Sequence, residues 1–118
     1  MVEDCIFCKI ISRELPSTIE FEDDDIIVFQ NINPVAPVHV LIVPKKHVIN
    51  LSEVDDSDQD LLGKTLLIAK KMANKLGISE AFRVAIANGK MAAQSVFHIH
   101  LHLTGGWKEV HDRGEDQA

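Results

Sequence analysis

The sequence predicts an α+β fold: a mostly antiparallel five-stranded sheet, one long helix and a short N-terminal helix. Three observations carry this. Short runs alternate apolar and polar residues or are wholly apolar, one central segment repeats its apolar residues at helical spacing, and the connections between runs are hairpin-like. Residues 4–13, DCIFCKIISR, predict the short helix, capped by Asp4, with Ile6, Phe7, Ile10 and Ile11 on one side and Pro16 as its stop. TIEFEDD and DIIVFQN predict two strands around an acidic turn at Asp23–Asp25. VHVLIVPKKH, 38–47, is nearly continuous in apolar residues, which predicts a strand central in a sheet.

The long helix is expected over 58–76. Leu62, Leu66, Ala69, Ala73 and Leu76 recur at its period, and Ser57 with Asp60 resembles a capping box. Asp58 and Asp60 lie in the first turn and Lys70, Lys71 and Lys75 near the end, as the helix dipole favours, and Gly77 is the stop. FRVAIAN, 82–88, predicts the fourth strand, NGKMAAQ a loop, and SVFHIHLHL, 95–103, the fifth. The 118 residues predict a single domain with its core over about 5–106 and a polar, partly mobile tail over 107–118.

Composition narrows the function. A net charge of −6 disfavours binding to a nucleic acid backbone, while a local site can still take a small anion. No apolar run is long enough to span a membrane, and MVEDCIFCKI has no basic region followed by a signal core, so a cytoplasmic protein is expected. The two cysteines, Cys5 and Cys8, stand three apart. In a reducing compartment that spacing suits a metal half-site or a redox pair.

His98, His100 and His102 alternate in the fifth run. On a strand they share one face with Val96, and Phe97, Ile99, Leu101 and Leu103 take the other, core-facing side. An ideal strand puts the outer two histidines ~13 Å apart, too far for one tetrahedral metal to gather all three. The row suits an extended ligand such as a substituted phosphate. A neutral imidazole attacks phosphorus as a nucleophile, and neighbouring imidazoles donate hydrogen bonds to its oxygens.

FHIHLHL resembles the His-φ-His-φ-His-φ-φ signature (φ, apolar) of the histidine triad, or HIT, family. CIFCKIISRELPS, INPVAPVHVLIVPKKH and QSVFHIHLHLTGG are similar to its phosphoramidase branch. The resemblance implies a HIT-like fold whose sheet extends across a homodimer. It also implies a hydrolase that cleaves the P–N bond of purine nucleoside phosphoramidates through a nucleotidyl-histidine intermediate. His100 matches the nucleophile. His102, His39, Ser95 and His98 match the phosphate and leaving-group side, with the His100 tautomer held by a backbone carbonyl. Ile6, Phe7, Ile10, Phe29, Asn31 and Ile32 match the nucleoside pocket. Cys5 and Cys8 with His47 and His98 match a structural zinc site of relatives. Alternatives are a dinucleoside polyphosphate hydrolase, a non-catalytic nucleotide- or partner-binding module, and a catalytic metal held by the histidines.

Three positions depart from the family pattern. Asn31 replaces an Asp that accepts hydrogen bonds from ribose, and Ala87 replaces an Asn. Ala93 stands where Gly is common, at a cost of ~1–2 kcal/mol if the site needs positive φ.

Overall fold

A computed structural model describes residues 4–110. Helix α1, Ile6–Ile11, precedes a hairpin of β1, Ile19–Glu22, and β2, Ile26–Gln30. Strand β3, Val38–Pro44, helix α2, Gln59–Lys75, and strands β4, Phe82–Ala85, and β5, Leu101–Gly105, follow. The five strands form one sheet in the order β1-β2-β3-β5-β4, with every neighbouring pair antiparallel. The expected α+β architecture, with its antiparallel five-stranded sheet, long helix and short N-terminal helix, is therefore present. Among the described residues no helix is long and apolar enough to cross a membrane.

Both faces of the sheet are covered. Ile26, Val28, Val40, Ile42, Leu101 and Leu103 pack against Ile68, Ala69, Met72 and Ala73 of α2. On the opposite face Ile27, Phe29, Leu41 and Val43 pack against Phe7, Cys8 and Ile10 of α1. Burial on both sides explains why β3 reads as an unbroken apolar run.

The turn before β2 is held by Asp23, whose Oδ1 accepts from the backbone N–H of Asp25 and Ile26 at 2.9 and 2.8 Å. Gly77 ends α2 with φ +76°, and Ile78 N–H returns to the Ala73 carbonyl at 2.9 Å.

Several expected boundaries shift. α1 is shorter than 4–13, and Cys5 caps it in place of Asp4, its sulfur accepting from Cys8 N–H at 3.3 Å. The helix stops five residues before Pro16, where Arg13 takes φ +68°. The capping box before α2 is Asp55 with Asp58, around a short 3-10 turn at Asp56–Asp58, rather than Ser57 with Asp60. β4 ends at Ala85, and Asn88 turns away to bond Ser52.

The largest correction concerns the fifth strand, which begins at Leu101 rather than Ser95. The hydrogen bonds of residues 94–100 go elsewhere than a ladder. Ile99 N–H donates to the Val48 carbonyl at 2.7 Å, the Gln94 amide bonds the Ile49 and Val96 carbonyls, and the His98 carbonyl is taken by the His100 ring. Phe97, expected in the core, is 48% exposed. The predicted tail lies mostly outside the described residues, at 111–118.

Candidate functional site

The face of the sheet under α1 carries the histidines. Cross-strand register pairs Leu41 with His102 and His39 with Thr104, so His39 and His102 fall on one face at neighbouring positions. A cleft of about 330 Å³ opens beside them, between α1, the end of β2 and residues 95–102. It gathers Ser95, His100 and His102 with all six residues expected around a nucleoside. Phe7, Ile10 and Phe29 are buried, whereas Ile6 is half exposed and Ile32 is 89% exposed at the rim. The Phe7 ring meets the His100 ring edge-on, with centroids 4.9 Å apart and planes at 88°.

The hydrogen-bond network assigns each imidazole its tautomer. His100 Nδ1–H donates to the His98 carbonyl at 2.7 Å, which leaves Nε2 unprotonated. Val35 N–H donates to His39 Nδ1 at 3.1 Å, so the His39 proton is on Nε2. That nitrogen donates to His102 Nδ1 at 2.9 Å, so His102 keeps its own proton on Nε2. The cleft thus holds one nucleophilic nitrogen and one N–H donor on rings 4.9 Å apart. Burial pushes His100 below its ordinary value against the opposing His98 carbonyl, and burial lowers His39 as well. Burial, with His100 and His39 nearby, pushes His102 down to about 4. All three rings are neutral at pH 7.

His98 does not line the cleft. Its ring is fully buried and faces the cysteines. Nε2–H donates to the Pro44 carbonyl at 2.7 Å, turning the unprotonated Nδ1 toward Cys5 Sγ at 3.3 Å and Cys8 Sγ at 3.6 Å. His47 Nδ1 completes the group, 3.5 Å from Cys8 Sγ and 3.1 Å from His98 Nδ1. The four ligand atoms lie within 4.8 Å of one another. A tetrahedral ion with bonds of about 2.0–2.3 Å separates its ligands by about 3.3–3.8 Å, so the donor set fits a metal. Burial raises the Cys5 thiol and pushes His98 down to about 4. A bound cation reverses that logic for the thiols, which coordinate as thiolates.

The departures have distinct consequences. Asn31 Oδ1 is occupied by Asn33 N–H at 2.8 Å, and its Nδ2 stands 3.3 Å from His39 Nε2. Ala93 does adopt φ +67°, as the loop before Ser95 requires. Asn88 does not replace the missing Asn at 87, being bonded to Ser52. Lys45 and Lys46 form ion pairs with Glu22 and Asp58 at 2.7 and 2.6 Å. Gln94 was missed in the sequence. It is buried, accepts from Gly89 N–H at 2.8 Å and donates to Ile49 and Val96, fixing the loop that presents Ser95. Its only signal is a polar residue directly before the alternating run.

The chain is similar to known proteins along most of its length. The model of the HIT domain family matches residues 12–109. An uncharacterized HIT-like protein of Synechocystis sp. is 52% identical over 106 residues, covering 90% of this chain and 93% of its own. The structure of a HIT family hydrolase from Clostridium thermocellum superposes with a TM-score of 0.91 at 46% identity, over 96% of this chain and 99% of that one. A histidine triad nucleotide-binding protein from Candida albicans gives a TM-score of 0.78 at 37% identity, over 92% and 87%. The histidine row, the shared fold and this near full-length similarity lead to one conclusion: the chain belongs to the HIT domain family.

Proposed function

We propose that this protein is a hydrolase that cleaves the P–N bond of purine nucleoside phosphoramidates. One observation carries the reading: the His100 proton is held on Nδ1 by a backbone carbonyl, leaving Nε2 as the attacking atom beside the N–H donor of His102. His100 Nε2 attacks the α-phosphorus, a P–Nε2 bond forms, and the P–N bond of the substrate breaks. The departing nitrogen keeps the bonding pair and takes a proton from water. A second water then attacks phosphorus, releasing the nucleoside monophosphate and restoring His100. His102 stabilises the charge that gathers on the phosphoryl oxygens, Ser95 bonds the leaving group, and His39 fixes the His102 tautomer. Phe7, Ile10 and Phe29 offer an apolar and aromatic wall to a purine. Names among the relatives, a hydrolase and a nucleotide-binding protein, support the class.

Cys5, Cys8, His47 and His98 hold a structural zinc in this reading. Two thiolates and two imidazoles are a closed set with no open position for substrate. The protein acts in the cytoplasm as a homodimer. The outer position of β4 in the sheet, with Phe82 and Val84 part exposed, and exposed Leu66 and Leu67 on α2 support a partner there.

The test is intact mass measurement after mixing with a nucleoside phosphoramidate. A nucleotidyl adduct on wild-type protein, absent from His100→Ala, is expected. Amine release equal in the two proteins would overturn the reading.

A further inference from the structure

Helix α1 serves two places at once. Cys8 lies on it and Cys5 caps it, and their sulfurs stand in the group of four ligand atoms with His47 and His98. Phe7 and Ile10 of the same helix wall the cleft beside His100, with Ile6 at the rim. Cys5 and Cys8 are three residues apart, as are Phe7 and Ile10, so each pair presents one side of the same turn. The Phe7 ring joins the two places: its centroid is 6.0 Å from that of His98 and 4.9 Å from that of His100.

α1 has only six residues, too few to persist through its own hydrogen bonds, so its position is set from outside. One hold is the burial of Phe7, Cys8 and Ile10 against Ile27, Phe29, Leu41 and Val43. The other is the ligand group, which draws on three separate segments. These are the start of α1, His47 three residues past β3, and His98 three residues before β5.

We propose that metal binding and nucleoside binding are positively coupled through α1. A metal on Cys5, Cys8, His47 and His98 fixes where Phe7 and Ile10 stand, and a wall already in place costs less to order when the base arrives. The inference rests on the readings above, that the four residues take a metal and the cleft a nucleoside. The coupling concerns the base and spares the phosphate end. There the rings are held by other groups: Val35 N–H on His39, His39 on His102, and the His98 carbonyl on His100. Linkage makes the effect reciprocal, so the nucleotide tightens the metal by the same factor.

The experiment measures dissociation constants on zinc-loaded and zinc-free wild-type protein. The probes are adenosine monophosphate and ribose 5-phosphate, which keeps the sugar and phosphate and lacks the base. Adenosine monophosphate is expected to bind about tenfold more weakly without zinc, and ribose 5-phosphate to change by less than about twofold. In the reverse direction, saturating adenosine monophosphate should raise zinc affinity about tenfold in competition with a chromophoric chelator. Circular dichroism reads whether zinc-free protein keeps its sheet. Loss of that signal, or equal factors for the two probes, means that zinc acts on the whole fold and overturns the inference. A factor of one, with zinc and adenosine monophosphate both bound, overturns it too and leaves both readings standing. Protein that binds one of the two and never the other removes the reading concerned, and the inference with it.

Discussion

Replacing Ala93 with glycine should stabilise the protein. Ala93 sits at φ +67°, ψ 27°, after the 3-10 turn Lys90–Ala92 and two residues before Ser95. An L-residue held in this left-handed region costs about 1–2 kcal/mol. Glycine removes that strain and returns about 0.4–1 kcal/mol through its freer unfolded chain. The net gain is about 1 kcal/mol. Unfolding 118 residues releases about 0.25 kcal/mol/K, so the melting temperature should rise by about 4 °C. Gly77→Ala is the mirror experiment. Gly77 has φ +76° and no heavy atom within 4 Å of an added Cβ, so only the backbone term acts. Its melting temperature should fall by a similar amount. Calorimetry at fixed protein concentration reads both. An unchanged or lowered melting temperature for Ala93→Gly refutes the reasoning.

Three further outcomes are expected. Elemental analysis should find one zinc per chain, and a strong chelator or Cys8→Ser should lower stability by several kcal/mol. Protein free of metal, with a melting point indifferent to chelator, contradicts the site. Stability should also fall on acidification: unfolded His102 takes a proton near pH 6.5, the folded ring only at about 4, so the unfolded state binds more protons between those values. Unfolding free energies from urea titrations should drop by up to about 1 kcal/mol per pH unit across that window, less steeply in His102→Asn, and equal slopes in both proteins would sink the argument. Gly105→Ala should cost about 1–3 kcal/mol, because its Cβ would stand 2.7 Å from Ile78 Cδ1 and 3.1 Å from the Ala81 carbonyl; a urea midpoint at the wild-type value would show that the core yields there.

Much of the architecture was legible because the sheet is covered on both sides and α2 is amphipathic. Runs such as VHVLIVP and the spacing of Ala69 and Ala73 record those faces directly. The acidic turn and the Gly77 stop were legible for local steric reasons. The strand start at Leu101 was not, because alternation survives in an extended segment whose hydrogen bonds go to a loop. Pattern gave Phe97 a core position, whereas long-range bonding at Val48 and Pro44 decides the path. The same limit applies to His98. Its place in the row was readable from alternation, whereas its grouping with Cys5, Cys8 and His47 was expected from the family resemblance alone, because it depends on α1 packing above the ring. Cys5 as a cap was hidden because sulfur is an unusual group in that role.

His98 serves two neighbours with different parts of itself: the imidazole faces the cysteines, and the main-chain oxygen holds the His100 ring. An oxygen of that kind is present whatever amino acid occupies the position. Anchoring and reactivity are therefore separable in principle. If Cys5, Cys8, His47 and His98 hold zinc as proposed, a descendant that fills the space beneath α1 with ordinary hydrocarbon would discard the need for a metal supply and keep the orientation of His100.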